Sequence, residues 1–248
     1  MIQVVELYKS FGRQPVLKGV NLELKAGMIT TIIGGSGSGK TVLLKHLNAL
    51  LLPDSGKVLV DGADITKLGE SSLNTVRQKF GVLFQGAALL DSMTIFDNVA
   101  FPLREKTKLP ENEIEKKVEG QLAQVGLAGM GYKYPGEVSG GMKKRAGLAR
   151  ALVVAPEIVL FDEPTTGLDP LLGKSIHKLI RQMHSAFGFT GVIVSHDIPE
   201  VFGISDRVAM LANGVIAEVG ATPEFMASKN PVVRQFLEGD AKGPLTVL

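Results

Sequence analysis

The stretch GGSGSGKT, Gly34 to Thr41, fits the pattern G-x-x-x-x-G-K-[ST]. Gly34, Gly35, Gly37 and Gly39 let backbone N–H groups curl around phosphate oxygens, and Ser36, Ser38 and Val42 complete the predicted contact set. Lys40 brings a point charge to β- and γ-phosphates, and Thr41 offers a hydroxyl to Mg²⁺. A second stretch, VSGGMKKR, sets Ser139, Gly140 and Gly141 before a basic run that reads as a helix start. Free backbone N–H groups and a positive dipole end suit phosphate there as well. One short chain therefore offers two phosphate sites.

Carboxylates supply the rest of the chemistry. IVLFDEP places Asp162 and Glu163 at the end of an apolar run, where an ionised acid is costly unless a cation or hydrogen bonds satisfy it. Asp162 fits Mg²⁺ binding through a water, and Glu163 fits a general base that polarises an attacking water. Gln85 and His196 also follow apolar strands, which predicts that both emerge at the sheet edge where α/β proteins bind ligands. Gln85 would face Mg²⁺ or water, and His196 the γ-phosphate.

The elements that position these groups are legible in outline. Ile29 to Ile33 reads as a buried strand, followed by a helix through TVLLKHLNALL. SGKVLVDGADI predicts a hairpin about Asp61-Gly62, and FGVLFQG a strand reaching Gln85. Ile114, Val118, Leu122 and Val125 share one helical face, closed by Gly126. EIVLFDEP and TGVIVSHD read as strands covered on both faces, and Asp169-Pro170 as a helix start. A hairpin is predicted about Asn213-Gly214. Val233, Phe236 and Leu237 line one face of a tail helix that begins at Asn230-Pro231 and ends at Gly239.

Composition narrows the class. The chain has 248 residues, 45% of them hydrophobic and 21% charged, which suits a folded globular protein and excludes wholesale disorder. Its 27 basic and 25 acidic residues leave a net charge of +2, so bulk electrostatics give no reason to expect a nucleic-acid partner. No apolar run approaches the ~18 residues of a membrane span, and the first residues lack the basic start and apolar block of a signal peptide. With no cysteine there is no disulfide framework and no thiolate metal site. The expected location is the cytoplasm.

The phosphate loop, Gln85, VSGGM, IVLFDEP, TGLD (Thr166 to Asp169) and VSHD stand in the order and rough spacing of ABC-type ATPase domains, which the chain resembles over nearly its whole length. The resemblance implies an α/β P-loop NTPase: a RecA-like core with an antiparallel β subdomain (residues 1–86 and 156–227), an inserted α-helical subdomain (87–155) and a C-terminal tail (228–248). It also implies why there are two phosphate sites. In that family the second site completes the nucleotide site of another subunit, in a head-to-tail homodimer holding ATP and Mg²⁺. Ser139, Gly140 and Gly141 would meet the γ-phosphate bound by the partner's Lys40, and Asp169 would lie across the interface. Phe11 matches the family's adenine-stacking aromatic, although by residue type alone it also reads as a core residue. The family's usual signature carries glutamine where this chain has Met142. Lys143, Lys144 and Arg145 read either as added charge near the phosphate or, by their run in sequence, as a solvated basic helix face.

Three segments resemble the ATPase of Mla/Mce-type lipid transporters: Gln85 to Glu105, the Met142 signature, and the tail from Val232 to Pro244. That resemblance implies a membrane permease docked on the helical subdomain, an MCE-domain protein and a STAS-domain protein. It also implies a peripheral place on the cytoplasmic face of the inner membrane. Leu89, Leu90, Met93, Ile95 and Phe96 read either as the docking groove or as subdomain core, and the tail as docking on the partner subunit or on its own domain. Two other readings share the motor: an importer of small solutes, and a non-transport switch such as a cell-division regulator.

Overall fold

The computed structural model describes residues 1–245, in two compact units: Met1–Arg77 with Thr190 onward, and Gln78–Phe189. Residues 246–248 of the expected tail lie outside the described residues.

The first unit opens with β1 (Ile2–Phe11), β2 (Gln14–Leu24), β3 (Ile29–Ile33), α1 (Lys40–Leu47), β4 (Ser55–Val60), β5 (Ala63–Asp64) and α2 (Glu70–Arg77). The second unit contributes β6 (Phe80–Leu83), α3 (Ile95–Lys106), α4 (Glu111–Gln124), α5 (Gly140–Leu152), β7 (Ile158–Asp162) and α6 (Pro170–Phe187). The chain then returns to the first unit with β8 (Thr190–Val194), β9 (Arg207–Ala212), β10 (Val215–Ala221), α7 (Thr222–Met226) and α8 (Pro231–Glu238).

In the first unit an antiparallel sheet runs β2-β1-β4-β5, as the expected β subdomain requires. Its last turn carries Asp61 and Gly62 at φ 50° and 85°, the two left-handed positions of a tight hairpin. Beside it β3 pairs in parallel with both β8 and β9, and β9 continues antiparallel into β10. All five residues of β3 and of β8 are buried. Their β-branched side chains suit a strand covered on both faces, and this is the core from which the phosphate loop springs.

In the second unit β6 pairs in parallel with β7, in the register Leu83↔Phe161. Helix α4 buries Ile114, Val118 and Leu122, with Val125 behind them and Gly126 at φ 73° ending the helix. Helix α5 packs on β6, and Gly147 permits the approach, since a methyl there would stand 2.8 Å from Leu83 Cδ1.

Two elements stop earlier than their apolar patterns predict. Helix α1 ends at Leu47, because Asn48 caps it and Ala49 turns left-handed at φ 53°. The Arg77 guanidinium donates to the carbonyls of Asn48 and Ala49 (3.4 and 2.9 Å) and so holds that turn. Strand β6 ends at Leu83, and Ala87 N donates to Phe84 O (2.8 Å), which places Gln85 in a turn.

Candidate nucleotide site

Each unit carries a group of candidate residues at the C-terminal edge of a parallel strand pair. In the first unit the phosphate loop leaves β3 and closes on α1. Gly34 has φ 155°, and a Cβ there would stand 2.3 Å from Leu211 O, so no side chain fits. Gly39, the N-cap of α1, has φ 99° and makes no side-chain cap bond; a Cβ would meet Val16 Cγ1 at 2.8 Å. The backbone donors at the start of α1 therefore face the loop's interior without a capping side chain, the arrangement that holds phosphate at a helix start.

Lys40 is buried, and its ammonium donates to the carbonyls of Gly34 and Gly35 at 2.9 and 3.0 Å. Ser38 Oγ is buried with no hydrogen-bond partner among the described residues. A buried hydroxyl of that kind is costly unless a ligand answers it, and a phosphate oxygen does so. Thr41 follows on the first turn, a hard oxygen suited to Mg²⁺. His196 lies two residues beyond β8, the parallel neighbour of β3, and Ser195 N between them donates to Ile32 O at 3.2 Å. His196 and the phosphate loop thus leave the sheet at one edge, and His196 is exposed there. A cavity of about 670 Å³ opens along Gly35 to Ser38, bounded by Val16, Asn213 and the tail's Phe236 and Asp240.

In the second unit Gln85 and Glu163 each lie two residues beyond the paired Leu83 and Phe161, so both stand at the same level off the strand ends. Asp162 and Glu163 are buried. Glu163 has φ 48°, an uncommon backbone for a non-glycine residue, and such strain clusters at functional sites. Its carboxylate accepts a hydrogen bond from Thr166 Oγ1 at 3.3 Å. The same unit presents the second phosphate stretch. Ser139 is the N-cap of α5, its Oγ accepting from Met142 N at 3.3 Å, and Gly140 and Gly141 form the first turn. A methyl on Gly140 would touch Leu168 at an ordinary 3.6 Å, so packing within the chain does not demand glycine there. Asp169 caps α6 as predicted, accepting from Leu171 N and Leu172 N at 3.0 Å each.

Other expectations are revised. Phe11 is 51% exposed at the end of β1, which removes the core alternative and leaves an aromatic face for stacking, with Lys9 Nζ 5.8 Å from the ring centre. Of the five apolar residues after Gln85, Ile95 is core and Leu90 is exposed, while Leu89, Met93 and Phe96 are half-buried. The tail folds back on its own chain: α8 packs on β10 and buries Val233 and Gln235. The Gln235 amide donates to Asp240 O and Leu245 O and accepts from Leu245 N (3.1, 3.2 and 2.7 Å).

The basic run is not a solvated face. Lys144 is buried, and Arg145 donates to Val125 O and Ser175 Oγ at 2.9 and 2.8 Å. Burial pushes the Lys144 ammonium below its ordinary value, while the charges of Asp162 and Glu163 pull it back up. The overlooked signal was periodicity. Gly141, Lys144, Leu148 and Ala151 recur at helical spacing along the buried stripe of α5.

A phosphate loop at the end of a parallel strand and an acidic pair at the end of another define a P-loop nucleoside triphosphatase. The family model for the ABC transporter matches residues 17–166. The intermembrane phospholipid transport ATP-binding protein MlaF of Haemophilus influenzae is 42% identical over 245 residues, 99% of this chain and 93% of that protein. The probable ribonucleotide transport ATP-binding protein mkl of Mycobacterium leprae is 45% identical over 244 residues, 98% of this chain and 70% of that protein. Among solved structures, the dimeric post-hydrolysis ATP-binding cassette MJ0796 bound to ADP and Pi superposes with a TM-score of 0.82 at 31% identity, covering 90% of this chain and 99% of that one. The chain belongs to the ABC transporter family and is one of its ATP-hydrolysing subunits.

Proposed function

We propose that this ATPase powers the movement of phospholipid between membranes, as the motor of a complex with a membrane permease. The observation that carries the reading is the match to the Haemophilus MlaF, which covers 99% of this chain and 93% of that protein. The mycobacterial mkl proteins support the alternative of a solute transporter, but this chain spans a smaller share of them. No helix among the described residues is long and apolar enough to cross a membrane, so the path through the bilayer belongs to the permease in this reading.

In the proposed cycle ATP is gripped by the phosphate loop and Lys40, and Phe11 stacks on adenine. Thr41, Gln85 and, through a water, Asp162 would hold Mg²⁺; these hydroxyl, amide and carboxylate oxygens form a hard donor set that fits it. Mg²⁺ bound there supplies charge neutralisation at the β- and γ-phosphates. Glu163 orients and deprotonates the attacking water, and His196 donates to the γ-phosphate. Two chains meet head to tail, so that Ser139, Gly140 and Gly141 close on the partner's nucleotide and Asp169 lies at the seam. The exposed Leu171 and Leu172 beside Asp169 support an interface there, since apolar side chains so placed gain by being covered. The permease docks near Gln85 at Leu90 and its half-buried neighbours, on the cytoplasmic face of the inner membrane, in company with an MCE-domain and a STAS-domain protein.

Affinity purification of the tagged chain from its own cells in mild detergent, with mass spectrometry of co-purifying proteins and lipids, tests the cargo. A permease with an MCE-domain protein and phospholipid is the expected result. A solute permease with a soluble binding protein would overturn the lipid reading and leave the ATPase standing.

A further inference from the structure

Lys144 sits where the ATPase reading has no role for it. It is 5% exposed, on the fifth residue of α5, and its ammonium reaches two backbone carbonyls of the same unit: Gln85 O, and Glu163 O at 3.4 Å. Those residues follow neighbouring strands at the same level, β6 and β7, and are the candidate Mg²⁺ ligand and the candidate base. Burying an ammonium is costly, and the cost is met here by two carbonyls and by the nearby charges of Asp162 and Glu163.

The carbonyls concerned belong to strained or turning backbone. Glu163 is left-handed at φ 48°, and its carbonyl also accepts from Thr166 N at 3.3 Å. Past Gln85 the chain turns through Ala87 and Ala88, at φ 61° and 46°, and both of their carbonyls accept from Arg150 on the same helix. Backbone in such conformations persists when its surroundings over-determine it, and α5 supplies cations at both places. The helix also begins at Ser139, five residues before Lys144, or roughly 7.5 Å along its axis.

We propose that Lys144 is a positioning residue, which locks the backbone of Gln85 and Glu163 to helix α5, so that engagement of phosphate at Ser139 sets the geometry of the water-activating carboxylate. The inference rests on the ATPase reading and deepens it. A stem without donors at this position would leave substrate binding intact but let the Glu163 peptide relax. The KM-against-kcat split separates that from a general loss of packing.

The test is steady-state ATPase kinetics on the purified full chain, with melting temperature recorded beside it. Lys144→Met should lower kcat about 10-fold or more with KM within about 2-fold of wild type, the signature of an interaction felt in the transition state. Lys144→Arg, which keeps the charge and the donors, should restore most of the rate. In a Glu163→Gln background Lys144→Met should cost nothing further, because both act through one group. If Lys144→Met does not fold, Lys144→Gln serves, with kcat expected to fall because the shorter amide cannot reach both carbonyls. Wild-type kcat in Lys144→Met or in Lys144→Gln overturns the proposal. So does a rate loss that follows KM and melting temperature together and is not recovered by arginine. A wild-type chain without ATPase activity would instead show that the underlying reading has failed.

Discussion

Two helix starts in this molecule are the proposed phosphate sites, and they are built differently. At α1 the N-cap is Gly39, with no side-chain cap; Ser38 Oγ has no partner among the described residues, and Lys40 rests on the loop's own carbonyls. At α5 the N-cap is Ser139, whose hydroxyl already accepts from Met142 N, at a long 3.3 Å. The first start is therefore shaped to be completed by a ligand. The second already has its cap, and because that bond uses only a lone pair, the hydroxyl's own proton is still available to a phosphate oxygen. The contrast fits the proposed division of labour, in which α1 holds its own subunit's nucleotide and α5 adds donors to the partner's.

The comparison breaks most sharply at the chemistry both starts serve. Glu163→Gln should lower turnover by about 10²–10⁴-fold while ATP binding persists, with a nucleotide-dependent dimer accumulating on size exclusion. Turnover near wild type would remove Glu163 as the base. Lys40→Ala should weaken ATP affinity by about 10-fold or more through loss of a charge-assisted contact, which a fluorescent-nucleotide titration measures. Unchanged affinity would mean that the loop's backbone holds the phosphates alone.

At the second start the cap and the ligand role can be separated. Ser139→Ala should cost about 1 kcal/mol of stability as well as turnover, since alanine cannot cap. Ser139→Asp should keep the melting temperature, because aspartate caps well, yet lose turnover by repelling phosphate. If aspartate preserves turnover, Ser139 is a cap and nothing more. The smallest effect lies on α1 itself, where His46 is buried against Val42 O and burial holds its imidazole below the ordinary 6.5. Protonation therefore favours the unfolded chain, so this contribution is present above pH 6.5 and is lost as pH falls below it. The melting temperature of His46→Leu should drop less between pH 7.5 and 5.5 than that of wild type.

Much of the site was legible because its signals are local. Gly34, Gly37 and Gly39 answer to positive φ, and Gly34 and Gly39 also to close approach, and a pattern of residue types records those demands directly. The acidic pair and His196 follow continuous apolar runs, which alone announce a covered parallel strand and its ligand-binding edge. Lys144 was misread, because a basic run in sequence looks solvated and only helical phase places its middle member on the buried face. Phe11 was ambiguous for a related reason: exposure is a property of neighbours distant in sequence.

The sequence by itself determined the phosphate loop, the strands on either side of the chemistry, the hairpins at Asp61-Gly62 and Asn213-Gly214, the helix start after Ser139 and the capped start at Asp169. Each depends on interactions within a few residues, so residue type and spacing suffice. Only the tertiary structure decided that Gln85 and Glu163 stand level off paired strands, that Lys144 ties their carbonyls together, and that the tail closes on β10 of its own chain. Those outcomes depend on which strand pairs with which and on what each buried cation finds to satisfy it, and such contacts join residues far apart in the chain.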